Sequence, residues 1–149
     1  MKKVLLSTLL AGIIGSAQAY DLGVTGGSDI HSGKGVYSTA GVNATAHDGK
    51  FSTTVEMDRE FNGNTNKYSL VGGYDFAKLG TIVFTAKAGV AYVNQLSSTD
   101  GYAALAGVGV SVPVFDKVSA TVDYRYQSGQ DRIESVNGST FLVGARYSF

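Results

Sequence analysis

Apolar and polar residues alternate in segments of about ten residues, tight turns alternate with longer polar loops, and Tyr and Phe gather at the segment ends. Eight such segments in one meander predict an all-β chain closed into an eight-stranded antiparallel up-and-down transmembrane β-barrel. No apolar run approaches the length of about 18 residues at which a membrane helix is read. Helical i, i+3, i+4 patterning is also hard to find.

The chain opens with Met1-Lys2-Lys3, an apolar stretch from Val4 to Gly15, and Ala17-Gln18-Ala19. A basic start, a short apolar middle and a small-x-small site predict a cleaved secretory signal peptide over residues 1–19, routed through the general secretory pathway. The apolar part is too short for a spanning helix, which needs about 20 residues. Residues 20–149 are then one barrel domain.

The first strand is expected over Tyr20–Gly27, where Tyr20, Leu22 and Val24 alternate with Asp21, Gly23 and Thr25. Ser28–Gly35 reads as a polar loop containing His31. Val36–Ala46 and Phe51–Phe61 follow, joined at His47–Lys50 by an Asp-Gly hairpin signal. Lys67–Phe76 comes after the loop Asn62–Asn66, and Thr81–Val93 after a tight connection at Ala77–Gly80. Tyr102–Val112 follows the loop Asn94–Gly101, and Pro113–Lys117 is expected to turn because proline donates no ladder bond. Val118–Ser128 has the cleanest alternation, with Val118, Ala120, Val122, Tyr124 and Tyr126 against Ser119, Thr121, Asp123, Arg125 and Gln127. After the loop Gly129–Gly138, the strand Ser139–Phe149 is expected to pair with the first and close the sheet. Short turns then share one rim with both termini, and the longer loops share the other, as in outer-membrane barrels.

Alternation also fits a soluble, lipocalin-like barrel with its apolar face inward. Three features favour the membrane form. Aromatics form two belts, with Tyr20, Phe51, Phe76 and Phe149 toward the turn rim and Phe61, Tyr68, Tyr92, Tyr102 and Tyr126 toward the loop rim. The apolar face is thin at its centre, with Ala44, Ala86, Ala88, Ala104 and Ala106, which fill a soluble core poorly. The polar face carries Glu56, Asp58, Lys87, Asp123, Arg125 and Arg146, which in a narrow lumen must pair into an ion-pair network. Asp123, Arg125 and Arg146 are expected to be close enough in register to begin it. Arg59 has lipid-face parity; either it snorkels toward phosphates at the interface, or its strand bulges or ends early.

Ala88-Gly89-Val90-Ala91-Tyr92, Val122-Asp123-Tyr124-Arg125-Tyr126 and the closing Tyr147-Ser148-Phe149 resemble the small outer-membrane β-barrel family. That family includes OmpX-like proteins, Ail-like adhesins and the membrane domain of OmpA-like proteins. The resemblance implies residence in the Gram-negative outer membrane, and it makes Tyr147 and Phe149 the signal for the outer-membrane assembly machinery. No peptidoglycan-binding domain follows, so a tethering role is not implied.

Several chemistries find little support. The absence of cysteine excludes disulfides and thiolate metal sites. Once Lys2 and Lys3 are removed, ten basic residues face twelve acidic ones, which is no footprint for nucleic acid. A lipid A acyl-modifying enzyme would need a histidine base held near a serine and a carboxylate. His31 beside Ser32, with Asp29 near, is expected to sit in a solvated loop, so neither catalysis nor a cofactor is expected. Glu56, Asp58 and Glu60 could hold a hard cation, but pairing with Lys67, Lys87, Arg125 and Arg146 is expected instead. The expected role is a closed, structural or surface-interacting barrel, with a narrow channel as the alternative. Expected partners are membrane lipid or lipopolysaccharide, and any extracellular partner through loops 28–35, 94–101 and 129–138. A monomer is expected.

Overall fold

The computed structural model describes residues 19–33, 35–61, 64–95, 100–129 and 137–149. Apart from Ala19, the expected signal peptide lies outside the described residues. Eight strands run in chain order: β1 (Ala19–His31), β2 (Gly35–Asp48), β3 (Phe51–Glu60), β4 (Thr65–Leu79), β5 (Ile82–Gln95), β6 (Gly101–Phe115), β7 (Val118–Gly129) and β8 (Gly138–Ser148). Each pairs antiparallel with the next, and β8 pairs with β1 from Asp21↔Ser148 to His31↔Gly138. The sheet is closed, so every strand has a hydrogen-bonded neighbour on both sides and no edge faces lipid.

Period-two geometry decides what each residue meets. On β1 the odd residues Asp21, Thr25, Asp29 and His31 point inward, and Tyr20, Leu22, Val24 and Ile30 point outward. The same division holds around the barrel, so Val42, Met57, Leu70, Val90, Val108, Val122 and Val143 are exposed on the outer wall. A continuous apolar exterior of this kind is the surface of a protein dissolved in hydrocarbon, because soluble monomers rarely expose contiguous apolar patches above a few hundred Å². Strands of 10 to 15 residues are as long as or longer than the roughly 9–11 that cross a bilayer at a tilt.

Aromatic contacts ring both ends. Tyr20 stacks on Phe149 at 4.9 Å and Phe51 meets Tyr74 at 5.1 Å near the turn rim. Tyr92 links Tyr68, at 6.5 Å, to Tyr102, at 5.4 Å, near the loop rim. All three turn-rim hairpins are two residues long, Gly49-Lys50, Gly80-Thr81 and Asp116-Lys117, and Gly49 and Gly80 each have φ 61°. A positive φ at the first turn position is what a twisted hairpin needs and what glycine accepts.

Several strands outrun the expected boundaries. β1 extends to His31 and β2 begins at Gly35, so the loop expected over Ser28–Gly35 shrinks to a connection at residues 32–34. Asp29 and His31 are polar because they face the lumen, and a polar inward face reads as loop in a sequence. β4 continues through Ala77 to Leu79 and β6 through Pro113 to Phe115, each past a register shift. Pro113 is therefore in a strand and not in the turn; it is tolerated because it lies at a bulge, where the ladder is already interrupted. The connections β5–β6 and β7–β8 are the longer ones, and residues 96–99 and 130–136 of them lie outside the described residues. β3 runs regularly through Arg59↔Asn66, which removes the bulge reading for Arg59. Its guanidinium is exposed one residue from the strand end, 3.4 Å from Asn66 Oδ1.

Candidate functional site

The lumen holds three tiers of side chains. In the middle tier Arg125 of β7 reaches Glu56 of β3. Its Nη1 donates to Glu56 Oε2, and Nη2 donates to Oε1 at 2.8 Å. β3 and β7 are four strands apart in a ring of eight, so this bidentate pair spans the lumen. Nη2 also lies 3.4 Å from Asp123 Oδ2, and Lys87 Nζ donates to Asp123 Oδ1 at 2.5 Å. The result is a continuous chain, Glu56–Arg125–Asp123–Lys87, with alternating charge. Arg125 and Glu56 are each only 4% exposed, so the pairing offsets a desolvation cost of several kcal/mol per ion. Gly109 makes room for it: a Cβ there would lie 2.2 Å from Asp123 Oδ1 and 3.0 Å from Lys87 Cε.

Four of the six expected network residues are thus joined by direct ion pairs, and Asp58 and Arg146 line the same lumen without one. Asp58 lies 3.5 Å from the Thr25 hydroxyl and packs against Gly41, and it forms no ion pair among the described residues. Arg146 faces the lumen near the turn rim, and its Nε has no hydrogen-bond partner. It makes no direct ion pair with Asp123 among the described residues, because β8 sets Arg146 opposite Ser119 while Thr140 lies opposite Arg125; it lines the turn-side cavity together with Lys87. Tyr147 and Phe149 point outward at the turn rim, edge to face at 5.0 Å.

The tier toward the loops contains the expected Glu60–Lys67 pairing, with Nζ 3.9 Å from Oε2, and adds Asp29 and His31 to it. Lys67 Nζ and the Thr140 hydroxyl both donate to Asp29, and Lys67 also lies 3.4 Å from Gln127 Oε1. His31 Nε2 is 3.0 Å from Glu60 Oε2, and Tyr37 packs on the His31 ring at 4.7 Å. The signal was present, since Asp29 and His31 continue the parity of Asp21 and Thr25. It was masked by reading Ser28–Gly35 as loop. The tier toward the turns contains His47 Nε2 with Asp21 Oδ2 at 2.7 Å and the Thr85 hydroxyl donating to Asp75 at 2.7 Å.

One side of the lumen is apolar. Val71, Ala91, Val93, Ala103 and Leu105 form a buried cluster on β4, β5 and β6, where a polar face was expected to line the interior. The space left over is small and divided. A cavity of about 110 Å³ lies toward the turn rim, lined in part by Asp21, Asp75, Lys87 and Arg146. A void of about 20 Å³, room for about one water, lies among Asp29, Asp58, Lys67 and Gln127.

An inside-out barrel with paired charges across its lumen defines the class of eight-stranded transmembrane β-barrels. The fold is similar to the amino-terminal barrel domain of OprF from Pseudomonas aeruginosa, at TM-score 0.70 and 15% identity, over 89% of this chain and 98% of that one. It is also similar to the neisserial surface protein NspA, at TM-score 0.64 and 17% identity, over 88% and 96%. Ail, the attachment invasion locus protein of Yersinia pestis, aligns at TM-score 0.59 and 12% identity, over 88% and 97%. No protein-family model and no curated protein matches the chain. The likeness at these identities is one of fold, and function has to be argued from the site.

Proposed function

We propose that the protein is a non-catalytic, monomeric integral protein of the Gram-negative outer membrane whose closed barrel displays its loop rim to lipopolysaccharide or to a partner outside the cell. The apolar outer wall and the fold shared with OprF, NspA and Ail support the location. In this reading residues 1–19 direct export, and Tyr147 and Phe149 present the assembly signal to the outer-membrane machinery. Contact with an outside partner falls to the β5–β6 and β7–β8 connections, because the β1–β2 connection is too short to reach far. The inward placement of His31 argues against acyl transfer, since its imidazole is turned toward Glu60 while Ser32 is exposed at the turn.

The observation that carries the closed-barrel reading is the Arg125–Glu56 pair between opposed strands. Planar-bilayer recording on the purified, folded protein tests it: the expected trace is silent, and solute-sized conductance steps from the wild type overturn it. The turn-side cavity of about 110 Å³ favours a second reading, a narrow pore gated by the plug. Steps that appear only when Arg125 is replaced support the plug in both readings, and voltage-dependent steps in the wild type select the pore.

A further inference from the structure

We propose that Asp29, His31 and Glu60 form a binding site for a borderline divalent transition-metal ion, with zinc as the test ion, at the loop end of the lumen. One ligand atom from each residue lies within 4.8 Å of the others. The residues are 1%, 6% and 1% exposed, so the donors are held by the barrel wall and not by a mobile loop. A second observation points to a missing partner. His31 Nε2 and Glu60 Oε2 are buried, and although they lie 3.0 Å apart neither makes a hydrogen bond. Buried polar atoms are nearly always bonded, so two unsatisfied atoms at one point mark a place where a further group belongs.

The donor chemistry selects the ion. One imidazole nitrogen with two carboxylates suits zinc and its neighbours, whereas calcium and magnesium prefer oxygen alone. A water completes four-coordination. Ligand bonds of about 2.0–2.2 Å require the widest gap to close by roughly 1–1.5 Å, within reach of side-chain rotation. Outer contacts are in place, with the Thr140 hydroxyl on Asp29 and Tyr37 packed on the His31 ring.

Lys67 is the competitor. Its ammonium binds Asp29 and lies 3.9 Å from Glu60 Oε2, where it supplies the positive charge that a metal would supply. A bound ion displaces it, and it has Gln127 at 3.4 Å and Asp58 across the 20 Å³ void to receive it. The site is therefore an exchange between an internal cation and an external one, and removing Lys67 must strengthen metal binding.

The test is calorimetric titration of the untagged, full-length folded protein in detergent with zinc, and with cobalt for its visible ligand-field bands. One zinc per chain is expected. His31→Ala and the isosteric Glu60→Gln should weaken binding by more than about 100-fold, since even outer-contact changes cost about 10–100-fold. Lys67→Met should tighten it by about tenfold, because an opposing positive charge within a few ångströms is gone. His47→Ala, at the other rim, should leave affinity and cobalt bands unchanged. Heat-shifted gel migration confirms that each variant is folded. Zinc binding that survives His31→Ala or disappears in His47→Ala overturns the proposal, and so does the absence of saturable binding in both wild type and folded Lys67→Met.

Discussion

Arg125 and Glu56 stand on opposite walls of the barrel, 69 residues apart in sequence, and meet through two parallel hydrogen bonds. Neither residue is exposed by more than 4%. A guanidinium fits this task because its planar fork matches a carboxylate and still leaves an N–H for Asp123. Removing one partner strands the other charge in the lumen. Arg125→Ala is expected to lower unfolding stability by about 3–5 kcal/mol, and the double change Arg125→Met with Glu56→Met by less than either single change. Urea unfolding in lipid vesicles measures both, and equal losses in single and double variants would disprove the coupling.

Gly109 should be sensitive to a single methyl group. A Cβ there meets the Asp123 carboxylate and the Lys87 side chain, so Gly109→Ala is expected to cost about 1–3 kcal/mol through overpacking. Gly72, with its nearest atom at 3.7 Å and its face toward lipid, is the control. Gly72→Ala should be neutral or slightly stabilising, and thermal unfolding of the two variants side by side decides the point.

Arg59 reports depth. The outward guanidinium lies at the loop end of β3 beside Asn66, where a charge is near water. Arg59→Leu should change stability by less than about 1 kcal/mol, whereas at the bilayer midplane the change would be about 2–4 kcal/mol. Unfolding in vesicles of defined thickness gives the answer, and a gain of the larger size would move the membrane boundary beyond β3.

Phe149 stacks on Tyr20 with an interplanar angle of 18°, tying β8 to β1 at the rim. Loss of that stack in Phe149→Ala should cost about 0.5–1.5 kcal/mol in the refolded protein beyond the area lost. In cells the amount of heat-modifiable protein in the envelope should fall much further than that stability loss explains, if the residue is read during assembly. Parallel decreases in the tube and in the cell would leave Phe149 with a packing role alone.

The number of strands, their antiparallel order and the face of each residue were legible in the sequence. Successive side chains on a strand point to opposite sides by covalent geometry, so the alternation of Val118–Ser128 needs no knowledge of the rest of the chain. The inward parity of Glu56, Asp123, Arg125 and Arg146 followed from that rule alone. Boundaries were less legible, because lumen-facing residues are polar for the same reason that loops are. Ser28–Gly35 misled on that account and took His31 with it.

Which charges meet was decided only by tertiary structure. Closure of eight strands puts β3 opposite β7 and so brings Glu56 to Arg125, while the β7–β8 register sets Arg146 opposite Ser119, toward the turn rim and without a direct ion pair. The same closure gathers Asp29, His31, Glu60 and Lys67 from β1, β3 and β4 into one buried cluster. Side-chain parity is local and survives in the sequence. Height and position around the barrel depend on register and on closure of the ring, which no single segment contains.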